Sequence, residues 1–133
     1  FFTPLIAAMA GNVGVQSSAI IVQGLANNTI IGPVVERLLK ELSLSLLNGV
    51  ILSIILLAGS YFLLGYEIHV GYTVSIALLS VIIMASLIGT FIPIILNKYG
   101  VDPALATGPF ITTSNDILGI LTYFTIAQII LGI

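Results

Sequence analysis

The residue in this sequence that is best suited to a chemical role is Asp116, a carboxylate inside a long apolar segment. It shares one predicted helical face with Gly108, Thr112, Gly119 and Tyr123, at the spacing i, i+4, i+8, i+11 and i+15 counted from Gly108. No Lys or Arg lies in the apolar segments to neutralise it. An unpaired carboxylate near a bilayer centre costs about 2.5 to 3.5 kcal/mol on the insertion scale, so something must compensate this charge.

Two interpretations of Asp116 are open. The first is a hydrogen-bonded acid that fastens helices together through Asn12 or Gln16. The second, which we adopt as our hypothesis, is a carboxylate beside water, where a passing cation supplies the counter-charge. Carboxylate, amide and hydroxyl oxygens favour hard ions such as Mg²⁺, Ca²⁺ or Mn²⁺, and Mg²⁺ usually keeps several waters and takes one or two carboxylates.

A second polar face lies near the start of the chain. Asn12 and Gln16 are one helical turn apart, and Ala8, Ala19 and Gln23 extend the same side. The opposite side is made of Ile, Val and Leu. Two segments of this sequence therefore carry polar groups at membrane depth.

The elements that must position these residues are membrane-spanning helices. Of the 133 residues, 59% are hydrophobic and 6% are charged, against roughly 25% charged in a soluble domain. Four stretches, at about 1–26, 42–64, 73–96 and 108–133, reach the roughly 20 residues that a bilayer requires. The sequence therefore predicts an all-α integral membrane protein, a bundle of four transmembrane helices in one transmembrane domain without a soluble domain.

The basic residues predict the orientation in a cell membrane. All three lie in the connections 27–41 and 97–107, which the positive-inside rule places in the cytoplasm. The connection 65–72 has none and is expected outside. Residues 33–42 are interpreted as a solvated helix end with weak ion pairs, Glu41 among them.

The segment before Asp116 has signals of its own. Asp102 precedes Pro103, as at a helix start, and on an uninterrupted helix it would lie about 21 Å from Asp116. Asp102 is thus a candidate for attracting cations at a cytoplasmic mouth, and a helix-capping role explains it equally well. Gly108 and Pro109 predict a break or kink.

Several function classes fit poorly. The chain has no cysteine, and its net charge of −2 without a basic patch argues against a nucleic-acid partner. Enzymatic function is not expected, because an intramembrane aspartyl protease needs two aspartates at depth and a serine mechanism needs a histidine partner there. A proton- or sodium-coupled secondary transporter is the alternative to channel-like transport, since broken helices and lone carboxylates occur there too.

The same segments carry a resemblance to a known family. Residues 11–16 match a Gly-Asn-x-Gly-x-Gln signature within 4–16, and 24–26 continue it as Gly-Leu-Ala. Residues 102–110, with the Thr pair at 112–113 and the Asp-Ile-Leu-Gly run that begins at Asp116, match a last helix. In these motifs the chain resembles the MgtE family of magnesium transporters.

The resemblance implies an assembly as well as a role for Asp116. It implies a homodimer of five-helix subunits, of which this chain covers the second to fifth helices, with cytosolic regulatory domains outside the chain. The pore would follow the dimer axis between the two motif-bearing helices, where Asp116 would bind hydrated Mg²⁺, with Mn²⁺ and other divalent cations as further candidates. The residues expected along that path or just behind it are Asn12, Gln16, Thr112, Thr113, Asn115 and Gly119.

Overall fold

The computed structural model describes residues 1–27, 34–106 and 108–132. In this part of the chain four helices are long and apolar enough to cross a bilayer, and there is no strand. This confirms the predicted all-α membrane bundle. The helices are α1 (Thr3–Ala26), α2 (Val34–Phe62), α3 (Ile68–Lys98) and α4 (Pro109–Leu131), with a 3₁₀ helix at Pro103–Ala106 between α3 and α4.

The helices extend beyond some of the predicted spans. α3 has 31 residues and begins five positions before the predicted start at 73. The apolar part of α2 covers Leu39–Phe62, against the predicted 42–64. Residues 28–33 and 107, in the two connections expected to be cytoplasmic, lie outside the described residues, as does residue 133 at the predicted end of the last span. The organisation as a single transmembrane domain stays a prediction.

The beginning of α4 follows from its first two residues. Gly108 has φ 63°, a left-handed value that glycine adopts without strain. Pro109 then occupies the first turn, where its missing N–H removes no helical hydrogen bond. The predicted break at this dipeptide is therefore present, and it separates α4 from the 3₁₀ helix.

The central element of the bundle is α3, which packs against α1, α2, α4 and the 3₁₀ helix. Its buried Val74, Leu78 and Val81 form the hydrophobic core together with Ile6 and Ala10 of α1. Because α3 is covered on several sides, it positions the other helices and leaves α1 and α4 in contact with each other.

Small polar residues fasten α2 to α3. The Ser53 hydroxyl donates to the Ser75 carbonyl oxygen at 2.9 Å, and the Ser75 hydroxyl donates to the Ser53 carbonyl oxygen at 3.0 Å. One turn away, a Cβ on Gly49 would lie 2.6 Å from Leu79 Cδ1. Small residues spaced by four thus let these two helices approach closely.

The outward face of α2 is largely apolar, with the exposed Asn48 as a polar residue beside it. Leu47, Ile51, Ile54 and Ile55 are each at least half exposed. In water such a surface would drive aggregation, whereas in a bilayer it matches the lipid chains. This face of α2 therefore suits contact with lipid.

Candidate cation site

The Asp116 carboxyl lies where α4 meets α1. Asp116 is partly exposed, seven residues and about 10 Å after the first residue of α4. It packs against Gly11 of α1, where an added Cβ would stand 2.8 Å from Asp116 Oδ1 and 3.3 Å from Thr112 Cγ2. The two helices that carry the sequence motifs therefore meet at the carboxylate.

Asp116 has no hydrogen-bond or ion-pair partner in the described part of the chain. Neither Asn12 nor Gln16 donates a hydrogen bond to its carboxyl, and no described Lys or Arg forms an ion pair with it. No hydrogen bond therefore supports the interpretation that Asp116 fastens helices through those two amides. A charge in this position needs water, a cation or another chain to compensate it.

Thr112 is one turn before Asp116 on the same face. Its hydroxyl donates to the Gly108 carbonyl oxygen at 3.0 Å, and its backbone N–H donates to the same oxygen at 3.0 Å. Both bonds satisfy the first turn of α4, and they leave the Thr112 methyl group directed at Gly11. Thr112 therefore rigidifies the turn that presents Asp116.

Asn115 and Gly119 lie on the inward side of α4. Asn115 is fully buried, and neither atom of its amide group has a hydrogen-bond partner among the described residues. Its amide nitrogen fills the space where a side chain on Gly14 would begin. Gly119 packs on Ala10, since a Cβ there would lie 2.8 Å from Ala10 Cβ. These contacts fix the rotation of α4 so that Asp116 lies at the edge of the interface.

The predicted polar face of α1 is its exposed face. The members of this face all lie in the exposed class: Ala8, Asn12, Gln16, Ala19 and Gln23. On the other side of the helix, Ile6, Ala10 and Ile21 are fully buried. A helix that turns amides outward from a membrane bundle is unfavourable against lipid, so water or further protein must cover this face. Thr113 of α4 is exposed as well.

Comparison with known proteins decides the family. The family model for MgtE, described as a divalent cation transporter, matches residues 3–126. The chain belongs to the MgtE family. The relatives include "Magnesium transporter MgtE" of Bacillus subtilis, 40% identical over 128 residues that make up 96% of this chain. The proteins of that name from Enterococcus faecalis and Thermus thermophilus are 38% and 33% identical over 96% and 98% of this chain.

This MgtE-family chain spans under a third of the length of those relatives, 28% of the first two and 29% of the third. Together with the four apolar helices, the match identifies a multi-pass membrane protein. These relatives are named as magnesium transporters.

The acidic groups of this MgtE-family chain are dispersed. Within residues 1–27, 34–106 and 108–132, no three His, Cys, Asp or Glu side chains come together as a metal cage. A single carboxylate without further acidic ligands suits an ion such as Mg²⁺, which usually keeps several of its waters.

Asp102 occupies a capping position. It is exposed, and its Oδ1 accepts a hydrogen bond from the Ala104 N–H at 3.0 Å. The distance of about 21 Å to Asp116 applies only to a continuous helix, whereas a 3₁₀ helix and the predicted break at Gly108 intervene. The capping role is thus observed, and the role at a cytoplasmic mouth stays a prediction.

The sequence interpretation was wrong for Glu41. It was expected on a solvated helix end, but it is only 6% exposed. It lines a cavity of about 440 Å³ between α1 and α2, where Gln16 and Asn48 also lie. The overlooked signal is its position four residues before Ser45, which makes it the first member of the buried face that continues through Gly49 and Ser53.

Proposed function

We propose that this chain forms part of a channel-like path for hydrated divalent cations, Mg²⁺ foremost, with Asp116 as the binding carboxylate. The path is bordered by Asn12 and Gln16 of α1 and by Thr112 and Thr113 of α4, with Asn115 and Gly119 behind it. The observation that carries the proposal is the partly exposed carboxyl of Asp116 at membrane depth, without a partner in the described chain.

The energetics of the exposed surface support a watery path. A lone carboxylate facing lipid would cost several kcal/mol, about 2.5 to 3.5 on the insertion scale. The exposed amides of Asn12 and Gln16 would also cost free energy if they faced lipid without hydrogen-bond partners. Water in front of α1 and α4 removes these penalties together, and a cation that enters this water gains the attraction of the carboxylate.

The chemistry of the ligands supports Mg²⁺ as the transported ion. All candidate ligands are oxygens, which suit Mg²⁺ and also Mn²⁺. A single carboxylate per chain is too little to strip the water shell of Mg²⁺, so contact through water is expected. The curated relatives are named magnesium transporters, which agrees with this choice.

A homodimer would cover the exposed polar face of α1 and Asp116. We take the polar face of α1 and the partly exposed Asp116, which packs on Gly11 of α1, as a first surface, and the apolar residues of α2 as a second. If a second copy packs against the first surface about a two-fold axis, two Asp116 carboxylates converge on one aqueous path. Lipid then contacts the apolar face of α2.

The orientation proposed for this path follows from the basic residues. The connections 27–41 and 97–107 lie on the cytoplasmic side and 65–72 lies outside, by the positive-inside rule. The 3₁₀ helix then stands at the cytoplasmic entrance, with Asp102 next to it. Cations that leave the Asp116 site toward the cytoplasm pass this acid.

The test is Mg²⁺ uptake into proteoliposomes that contain the purified protein. Asp116→Asn keeps the shape of the side chain and removes the charge, and we expect uptake to fall to the level of empty vesicles. Glu67→Gln is the matched control, because Glu67 is an exposed acid next to α3 and its loss should leave uptake unchanged. Wild-type uptake by a folded Asp116→Asn variant would refute the proposal.

A coupled transporter is the second candidate, and the broken segment at Gly108 favours it. Broken helices and lone acids are common where ions drive the movement of a substrate. The same vesicles separate the two candidates. Uptake that follows the Mg²⁺ gradient alone supports a channel, and uptake that requires an imposed proton or sodium gradient supports coupling.

A further inference from the structure

Gly11 stands out among the glycines at the helix interfaces, because its nearest neighbour is the proposed ion-binding group itself. An added Cβ would lie 2.8 Å from Asp116 Oδ1 and 3.8 Å from Asp116 Cγ. We propose that Gly11 is a positioning residue, whose missing side chain sets where the Asp116 carboxylate meets the hydrated cation. This inference rests on the proposed function of Asp116.

Three other glycines, at the contacts of α1 with α3 or α4, meet groups that cannot move freely. A side chain on Gly14 would meet the fully buried Asn115, and one on Gly89 would meet the backbone of α1. One on Gly119 would meet Ala10 Cβ, which has no torsion to adjust. These three glycines are needed for packing. At Gly11 the obstacle is the carboxylate of Asp116, a partly exposed side chain with two torsions. Because this group can rotate away, a methyl group at Gly11 need not separate the helices.

Gly11 thus bounds the carboxylate on the side of α1. Asn115, its neighbour in sequence, is held in the interface against Gly14, so α4 cannot rotate to move Asp116 as a whole. A methyl group at Gly11 must therefore be accommodated by rotation about the side-chain torsions of Asp116. The carboxylate would swing away from α1 and meet the ion at another distance and angle.

The expected consequence is a change in metal binding without a change in fold. Displacing a group that orients a metal ligand typically weakens binding by a factor of ten or more, so we expect about tenfold weaker Mn²⁺ binding for Gly11→Ala. The preference for Mg²⁺ over the larger Ca²⁺ should change as well, because ions of different size respond differently to a displaced ligand.

The experiment titrates Mn²⁺ and Mg²⁺ into the purified protein by calorimetry and measures melting in EDTA in parallel. Gly11→Ala should bind Mn²⁺ about tenfold more weakly and melt in EDTA at the wild-type temperature. Gly59→Ala is the matched control, since a Cβ on Gly59 of α2 meets nothing within 4 Å. Wild-type affinity in Gly11→Ala, with or without a lower melting temperature, would overturn the inference.

A second pair of variants keeps the test decisive should Gly11→Ala fold poorly. Thr112→Ser removes the methyl group that a Cβ on Gly11 would approach at 3.3 Å, which leaves the carboxylate as the nearest obstacle. We expect Gly11→Ala in the Thr112→Ser background to fold and to bind Mn²⁺ about tenfold more weakly than Thr112→Ser alone. Equal affinities in this pair overturn the inference.

A third variant separates the two proposals. Asp116→Asn should lose metal binding if the carboxylate is the site. If it binds metal like the wild type, the proposed function fails and the role of Gly11 fails with it. If Asp116→Asn loses binding while Gly11→Ala keeps it, only the role of Gly11 is refuted.

Discussion

The carbonyl oxygen of Gly14 in α1 lies in the space that a Cβ on Gly89 of α3 would need. Ser17 Cβ closes the same space at 3.1 Å. Unlike the carboxylate beside Gly11, a backbone carbonyl cannot rotate away on its own. Gly89→Ala must therefore push α1 from α3, and we expect it to lower the free energy of unfolding by about 1 to 3 kcal/mol.

The measurement for Gly89→Ala is reversible unfolding in mixed micelles. Gly59→Ala serves again as the control, and it should be neutral or stabilising by up to about 1 kcal/mol, because alanine is the better helix former and the site is open. Equal stabilities of Gly89→Ala and wild type would mean that the two helices can separate without loss.

The paired serines of α2 and α3 give a second prediction. Each hydroxyl of Ser53 and Ser75 donates to the other residue's carbonyl oxygen, so the two hydrogen bonds do not share a donor. Each Ser→Ala change should cost about 0.6 kcal/mol, the average for such bonds in a membrane protein. Because the two residues contact each other, the double variant should deviate from the sum of the two single effects.

The control for the serine pair is Ser43→Ala. Its hydroxyl bonds to the Leu39 carbonyl oxygen within α2 and lies in the exposed class. No helix contact depends on it, so its removal should leave the unfolding free energy unchanged. A loss for Ser43→Ala as large as for Ser53→Ala would show that helix pairing is not what the serines stabilise.

The buried amide of Asn115 gives a third prediction. Both of its polar atoms lack partners in the described part of the chain, which usually costs about 1 to 3 kcal/mol for a buried group. Asn115→Leu has the same number of heavy atoms and no polar group, so we expect equal or higher stability in the unfolding assay. Asn115→Ala leaves a cavity and should be less stable than Asn115→Leu. The opposite order would indicate that the amide has a partner that stabilises the fold.

The four helices and the polar side of α1 were predictable because both depend on local pattern. Hydropathy over about 20 residues predicts a span, and the one-turn spacing of Asn12 and Gln16 predicts a common face, which is indeed exposed. The break at Gly108 was also predictable, since glycine followed by proline suits the end of one helix and the start of another.

The contacts between helices could not be predicted in the same way. Periodicity assigns Asn115 and Asp116 to adjacent directions on α4, but it does not say which one points at α1. The answer depends on two glycines of α1, because the Asp116 carboxyl packs against Gly11 and the Asn115 amide packs against Gly14. For Glu41 the local charge pattern indicated a solvated end, whereas the residue belongs to the buried face of α2 that continues through Gly49 and Ser53.

Asp102 gives the fourth prediction, because its capping role and its charge can be separated. Asp102→Asn keeps an oxygen that can accept the hydrogen bond of the Ala104 N–H, and it removes the negative charge. At an ionic strength of about 0.01 M the screening length is about 30 Å, so a charge at the mouth can attract cations. We therefore expect Mg²⁺ uptake by Asp102→Asn to be slower by about threefold under these conditions.

Salt distinguishes this attraction from a structural effect of Asp102. At about 0.15 M ionic strength the screening length falls to about 8 Å, and uptake by Asp102→Asn should approach that of the wild type. Asp102→Ala loses the cap as well as the charge, so it should remain slower at both ionic strengths if the 3₁₀ helix depends on the cap. A deficit of Asp102→Asn that does not change with salt would rule out attraction at the mouth, because only an electrostatic effect is screened.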